Sequence, residues 1–379
     1  MRRRGVLERE ERPATAGLGD VRVAVVGQIE AMTYNVVASL GLAGVEAEVW
    51  APGACSRLRA SRFVARFHEV PDRLFRPMGE ALAEMLAPAF AEREISIAVP
   101  ADYDGFAWLA DHAVDLTPTR AFPMPSRELI EFYNDKWRMA TACARAGIDT
   151  PLTCLLERPA DLDGLDRLRG RGPIVVKPLT AGDSFGVYVL DSTDELAAHL
   201  VSDDRPGNEL PLIVQEHVPG RDLDVTVVAN VGRVTDAVVS EHVAGSRTLR
   251  YFDHPRAVEV AGRIAAIGCY HGVLDFDFRE DPATGRLVVV DTNPRLTGST
   301  LVKTWAGANL PVQGVRMAMG LAHEPRSGTA AGFHRPVGPE LVAAIGRGWW
   351  RADNAPTRAA LRCAISDLGY HRARQATPV

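Results

Sequence analysis

The sequence predicts a doubly wound α/β layer followed by an α+β half. Three observations carry that reading. Short apolar runs alternate with helical stretches as far as about residue 117, the rhythm of strand, helix and parallel strand. A proline-marked stretch, Thr117-Pro-Thr-Arg-Ala-Phe-Pro-Met-Pro125, then breaks the rhythm. From Pro173 onward β-rich runs dominate, interrupted by helical stretches near Glu195–Leu200 and Val258–Tyr270.

In order, Val21–Gly27 reads as a buried strand because it is apolar almost throughout, and a helix is expected over Asn35–Ala43. Val45–Trp50 is a second strand, Met78–Glu94 a helix, Ile95–Val99 a strand and Tyr103–His112 a helix. Asn134–Gly147 reads as a helix stopped by Gly147, with Pro151 beyond it. The later strands are expected at Ile174–Lys177, Val187–Leu190, Leu212–Glu216, Leu223–Asn230, Val234–Ser240, Gly272–Phe278 and Leu287–Asp291. The stretch 334–379 holds seven arginines against three acids, with Trp349 and Trp350, and reads as terminal helices. Domain limits follow: a flexible tail over 1–20, a first layer over 21–117, a main unit over 118–330 with a small subdomain at about 150–217, and a helical extension over 331–379.

Composition narrows the function classes. The 379 residues are 46% hydrophobic and 24% charged with a formal charge of −5, so a basic coat for nucleic acid or a polybasic membrane face is not expected. Five scattered cysteines without a C-x-x-C pair argue against a disulfide framework or a structural zinc site. The first twenty residues lack the apolar core of a signal peptide, and no apolar run approaches membrane-spanning length. A cytoplasmic location is expected, with no membrane and no nucleic-acid partner; a homodimer is allowed. Of 43 basic residues only Lys136, Lys177 and Lys303 are lysines, against 40 arginines, so each lysine invites a question.

No G-x-x-x-x-G-K-[ST] loop is present, and the first strand ends in Val26-Gly27-Gln28-Ile29-Glu30, one glycine where a dinucleotide fingerprint wants three. Four other constellations stand out. Asn134-Asp135-Lys136 opens a helix, where Lys136 also reads as an ordinary surface cation. Pro173-Ile-Val-Val-Lys177-Pro178 runs into Ala181-Gly182-Asp183-Ser184-Phe185-Gly186, a strand delivering a lysine to a small-residue turn. That suits an anion cradle of backbone N–H groups, and equally a loop with a solvated lysine. Leu212-Ile-Val-Gln215-Glu216-His217-Val218-Pro219-Gly220-Arg221-Asp222-Leu223-Asp224 leaves a buried strand through a Val-Pro-Gly turn. Such a turn can offer backbone groups to an adenine edge, with a following acid for a ribose, or be a plain strand connection. Lastly, Leu274-Asp275-Phe276-Asp277-Phe278-Arg279 is followed by Leu287-Val-Val-Val-Asp291-Thr292-Asn293-Pro294-Arg295. On paired strands Asp277, Asp291 and Asn293 converge, because residues two apart share a face. Their oxygens are hard ligands suited to Mg²⁺, and a neighbouring Arg295 suits transferring phosphoryl charge.

Taken in this order, from about Val21 to Gly320, the motifs resemble the ATP-grasp superfamily, in particular the carbamoyl-phosphate-synthetase-like proteins predicted to be ATP-dependent carboligases. The resemblance implies a Rossmann-like pre-ATP-grasp domain followed by an ATP-grasp fold of two α+β subdomains that clamp ATP. It implies that Lys136 and Lys177 contact phosphates, with Ser184 and Gly186 in a mobile glycine-rich loop. It places Gln215, Glu216 and Val218 at the adenine hinge and Asp222 at the ribose, with Asp224 as the alternative. Asp277, Asp291 and Asn293 would hold one or two Mg²⁺ (Mn²⁺ is allowed), with Arg295 and Lys177 catalytic. The family usually has glutamate where this chain has Asp291, one methylene shorter.

The resemblance further implies a carboxylate–amine ligase. ATP phosphorylates a carboxylate, an amine displaces phosphate, and ADP is released, with small amino acids or other small carboxylates and amines as substrates. A kinase of a small metabolite and a non-catalytic ATP sensor are the alternatives. Arg247, Arg250 and Lys303 are candidate substrate contacts, since guanidinium groups pair with carboxylates through two bonds.

Overall fold

The computed structural model describes residues 17–72, 79–182, 185–202, 206–246, 248–322, 332–334 and 355–375. It contains three sheets. The first holds β1 (Val23–Val26), β2 (Ala47–Ala51), β3 (Val64–Glu69), β4 (Ile97–Pro100) and β5 (Arg120–Ala121), all parallel in the order β3-β2-β1-β4-β5. Helices α1 (Glu30–Leu42), α2 (Glu80–Glu92) and α3 (Tyr103–His112) supply the crossovers, as the alternation required. β1 and β4 are buried at every residue, which is why they read as continuous apolar runs. β3 gives no such signal because it is a polar edge strand, Val-Ala-Arg-Phe-His-Glu, with no fully buried residue.

This layer has the strand order of a dinucleotide-binding fold, yet its phosphate position is filled from within. The Asp102 carboxylate caps α3 through Gly105 N–H at 2.9 Å and also accepts from the backbone of Gln28 at 2.7 Å and Ile29 at 3.0 Å. The N–H groups after β1 that would greet an anion are therefore already satisfied.

The helix expected over Asn134–Gly147 is present over Lys136–Arg145, and a separate helix that was not expected precedes it. α4 (Arg127–Asn134) ends where Asp135 turns extended, and α5 (Lys136–Arg145) begins with Asp135 accepting from Trp137 and Arg138 N–H at 2.9 Å. N-cap bonding outweighs helix continuation at that residue.

The second sheet is antiparallel, order β6-β9-β7-β8, from β6 (Thr153–Leu156), β7 (Ile174–Pro178), β8 (Tyr188–Leu190) and β9 (Leu212–Glu216), with the short α6 (Leu196–Leu200) between β8 and β9. Ile174, Val176, Leu190, Leu212 and Val214 form its own small core. Val175 and Lys177, the alternate residues of β7, line the opposite, cleft side.

The third sheet runs β14-β13-β10-β11-β12-β15, from β10 (Arg221–Asn230), β11 (Arg233–His242), β12 (Leu249–Tyr251), β13 (Gly272–Asp281), β14 (Arg286–Asn293) and β15 (Gly332–His334). Leu223, Val225, Phe276 and Phe278 pack against α7 (Pro255–Ile267) and Tyr133, while alternate residues carry acids. After β14 come α8 (Thr300–Trp305) and α9 (Leu310–Ala318). Their apolar residues Leu301, Leu310 and Val315 share one core with the parallel layer.

Both ends of the described chain pack on the first layer, and the terminal helices expected within 334–379 are present. Residues 17–20 are a turn, not tail: Leu18 is buried in the core of the first layer, and its carbonyl accepts from Val21 N–H. The first sixteen residues lie outside the described set. The helices at Ala355–Ser366 and Leu368–Gln375 are no appendage. Asp367 between them is buried and accepts from Ser61 Oγ at 2.6 Å, Arg62 N–H at 2.8 Å and Tyr34 OH at 3.1 Å. Tyr370 stacks on Tyr34 at 4.0 Å, which binds the carboxy-terminal helices to the parallel layer. Trp349 and Trp350 lie outside the described residues.

Candidate active site

A cleft of about 760 Å³ separates the second and third sheets. One wall is apolar: Val175 and Val189 are paired across β7 and β8, and Val187 and Val189 remain 39% and 59% exposed, unusually high for valine. Arg279, on the acid-bearing face of β13, borders the opposite side. The wall ends at the turn from β9 to β10. There Val218 is buried, and its carbonyl accepts from Arg279 Nε at 2.7 Å. Gln215 is buried and donates to Thr153 Oγ1 at 2.9 Å, while Glu216 pairs with Arg286 at 2.7 Å. Gly220 has φ +128°, and a Cβ there would meet the Glu280 carbonyl oxygen at 2.0 Å, so the turn demands glycine.

Deeper in the cleft the charges are concentrated. All three lysines of the chain are buried in this region: Lys136, Lys177 and Lys303 are 8%, 6% and 1% exposed. The Lys136 ammonium donates to Ala181 O at 2.8 Å and lies 3.1 Å from Asp291 Oδ2. The Lys177 ammonium donates to Val290 O at 2.7 Å. That carbonyl is available because the pairing of β13 with β14 shifts between Asp277 and Phe278, leaving Val290 as a bulge. Burial pulls Lys177 down to about 8, Lys136 acts in the same direction, and Asp291 and Asp277 oppose.

Across β13, β14 and β10 the register sets Asp291 beside Asp277 beside Asp224, and Asn293 beside Asp275. The convergence expected for Asp277, Asp291 and Asn293 is thus met, and two more acids join them. Burial first, then repulsion from Asp275, Asp291 and Asp224, pushes the Asp277 carboxyl well above its ordinary value. Asp277 is the acid of this row that forms no ion pair among the described residues. Among the described residues no three His, Cys, Asp or Glu side chains form a metal nest by themselves. Two carboxylates and an amide instead suit Mg²⁺, which fills its remaining positions with water and phosphate oxygens. Arg295 lines the same cleft next to Gly182, and its guanidinium donates to Asn293 Oδ1 at 3.4 Å.

Several expected residues sit elsewhere. Lys303 is no substrate contact: from α8 it lies beneath the acids, 3.0 Å from Asp224 and 2.8 Å from Asp275, and donates to Thr297 Oγ1 at 3.3 Å. Arg250 is off the cleft wall, paired with Glu241 at 2.8 Å and laid over Phe252. Gly186 also stays off the wall; its φ of +69° and a Cβ that would meet Pro178 at 2.8 Å make it a packing glycine at the loop root. Ser184 and Arg247 lie outside the described residues. Asp222 is on the cleft wall at the hinge, 59% exposed and paired with Arg279, whereas Asp224 belongs to the buried acid row.

Thr297, Gly298 and Ser299, which no sequence motif marks, line the far end of the cleft. Ser299 Oγ donates to Asp224 at 3.3 Å, and Asn35 of α1 donates to Gly298 O at 2.7 Å, bringing the parallel layer to the cleft edge. Asp275 is legible from its period-two spacing to Asp277; Asn35 carries no local signal.

Two α+β lobes facing each other across a lysine-and-aspartate cleft, behind a Rossmann-like layer, define the ATP-grasp architecture. The chain has the ATP-grasp fold. A family described as "ATP-grasp in the biosynthetic pathway with Ter operon" matches residues 208–334. A D-alanine–D-alanine ligase of Bartonella bacilliformis is 25% identical over 200 residues, covering 46% of this chain and 62% of that protein. The chain spans 51% to 62% of the length of the first curated relatives it matches. An N5-carboxyaminoimidazole ribonucleotide synthetase solved with ADP superposes with a TM-score of 0.64 at 16% identity, covering 94% of this chain and 98% of that one. The L-amino acid ligase of Bacillus licheniformis gives 0.58 at 16% identity, covering 79% and 74%. At that identity the likeness to the two structures is one of fold. Among the described residues no helix is long and apolar enough to cross a membrane.

Proposed function

We propose that the protein is an ADP-forming carboxylate–amine ligase that joins small substrates, amino acids or other small carboxylates and amines, through an acyl phosphate. The observation that carries this reading is the layout of one cleft: an apolar slot at the hinge, then Lys136 and Lys177, then the Asp277–Asp291–Asn293 set, then Arg295. That is the order in which adenine, phosphates, transferred phosphoryl and acceptor follow one another. The match to a D-alanine–D-alanine ligase supports the amide-forming outcome.

In this reading the valine wall takes the adenine ring, backbone groups around Glu216 and Val218 meet its edge, and Asp222 meets the ribose. Lys136 and Lys177 neutralise phosphate charge and hold the chain of phosphates toward Arg295. Asp277, Asp291 and Asn293 would hold Mg²⁺, which when bound neutralises phosphate oxygens. Arg295 steadies the charge on the phosphoryl as the substrate carboxylate oxygen attacks phosphorus and ADP departs. The amine then attacks the acyl carbon, phosphate leaves, and a proton is released from nitrogen. Ala181 and Gly182, which line the cleft beside Lys136 and Arg295, stand where water that would hydrolyse the acyl phosphate must be kept out.

An ADP-release screen of pooled carboxylic acids crossed with pooled amines, with mass spectrometry of the product, tests the reading. Release that needs both partners and yields an amide is expected, and Lys177→Ala and Asp291→Ala should abolish it. A phosphorylated product persisting without amine would make the protein a kinase. ATP binding without ADP release under any mixture would make it a sensor. Full activity in Asp291→Ala would remove the metal assignment.

A further inference from the structure

A second cavity, of about 820 Å³, adjoins the cleft at the hinge strand, Pro151 and Glu216 standing in both walls. It is the seam between the two lobes, walled by α5, the start of β6, the end of β9 and the start of β14. Arg145, Arg167, Arg171 and Arg286 converge on it, and Glu216 is the one acid in its wall. That acid is already engaged by Arg286. Arg145, Arg167 and Arg171 are exposed, and none of them forms an ion pair among the described residues. Arginines elsewhere, such as Arg57, Arg93, Arg221 and Arg279, are paired with carboxylates. Four guanidiniums around one concavity with a single spoken-for acid repel one another unless an anion enters. The half-buried indole of Trp137 adds a flat apolar wall.

We propose that this seam is a binding site for a small polyanion carrying at least two phosphate or carboxylate groups, separate from the nucleotide cleft, and that its occupancy alters nucleotide affinity. Guanidinium forks bind both kinds of oxyanion through paired bonds, which is the chemistry shared by the two ligand sources. The coupling runs through Arg286. Its Nη2 donates to Glu216 Oε1 at 2.7 Å and to Thr150 O at 3.4 Å, and Glu216 Oε1 also accepts from Leu152 N–H at 3.1 Å. This latch ties the strand that enters the hinge to β14 of the other lobe. An anion that recruits Arg286 competes with Glu216 and frees the residue from which the hinge leaves β9.

The test titrates the full chain with inorganic pyrophosphate and, separately, with citrate. Mg²⁺ is held in excess and MgADP is saturating so that the cleft is filled, and binding is read by calorimetry. Binding of one anion at one site is expected, and which anion binds tells phosphate from carboxylate recognition. Arg167→Gln/Arg171→Gln should weaken that binding at least about 10-fold, the loss expected for one or two charged hydrogen bonds. The double variant should melt like the parent and bind MgADP alone as the parent does, because neither residue lines the cleft. No binding of either anion, or equal binding in the double variant, overturns the site. The ADP dissociation constant should also move at least about threefold when the anion is saturating; an unchanged value overturns the coupling.

Discussion

The Lys177 ammonium on β7 donates to the carbonyl oxygen of Val290 on β14 at 2.7 Å, so one buried lysine joins the two sheets that bound the cleft. The contact depends on a bulge: without the extra residue at Val290, that carbonyl would serve the β13 ladder. Lys177 thereby reports both the closure of the lobes and the charge state of the cleft.

That charge state gives a pH prediction. Burial holds Lys177 at about 8, against an ordinary lysine near 10.5. In the proposed function the protonated form is the one that meets phosphate. As pH rises through about 8 the free protein loses this charge, and nucleotide binding must restore a proton. ADP affinity should therefore be level below pH 7 and fall roughly 10-fold between pH 7 and 9. Lys177→Met should bind weakly with a flatter profile. A level parental profile from pH 7 to 9 would remove Lys177 from phosphate binding.

Lys303 gives a stability prediction. It is the cation beneath Asp224 and Asp275, at 3.0 and 2.8 Å. Lys303→Met leaves two buried carboxylates without their partner and should cost about 3–5 kcal/mol in urea unfolding. Adding Asp224→Asn should recover part of that loss, since one uncompensated charge disappears. A double variant no better than Lys303→Met would mean that packing, not charge, holds Lys303 there.

At the hinge, Gly220→Ala forces a Cβ toward Glu280 O at a residue with φ +128°. It should destabilise the fold by ~2 kcal/mol and weaken ADP binding as the turn moves. Gly164→Ala is the control, because its Cβ would meet nothing within 4 Å and its φ is not positive. Equal melting temperatures for the two variants would contradict the strained-turn account.

His334 sets part of the acid limit. It is buried on β15, and burial pulls its imidazole from 6.5 to about 4. Between those values the unfolded chain binds the proton and the folded chain does not. Stability should fall as pH drops from 6.5 toward 4, by up to ~3 kcal/mol from this group. His334→Phe should show a shallower decline over that window, whatever its stability at pH 7. An unchanged slope would show that the imidazole takes up its proton while folded.

The site is legible in the sequence where chemistry rides on a period. Lys177 follows three apolar strand residues, and Asp277, Asp291 and Asn293 fall on one face by twos, so strand spacing alone brings them together. Asp275 obeys the same spacing and is legible by it, although its ion pair with Lys303 is not. The role of Lys303 cannot be read locally, since its partners lie 79 and 28 positions away and only the sheet register brings them under α8. Arg250 misleads for the opposite reason: a loop arginine near a cleft looks available until its cross-strand partner Glu241 is seen. Likewise β3 is polar and β6 only partly buried, so neither announces itself, while the fully buried β1 and β4 do.

The core shared by the parallel layer, α8, α9 and the carboxy-terminal helices bears on how such a chain can be recombined. Leu301, Leu310, Val315 and Tyr370 belong to the same apolar cluster as Val25 and Leu40. A cut at the proline-marked stretch 117–125 would strip the cover from residues nearly 200 positions downstream. Swapping the first layer between relatives as a cassette should therefore fail unless 296–321 and the final helices travel with it. The inheritable module of this protein is discontinuous in sequence, with the nucleotide lobes inserted into it.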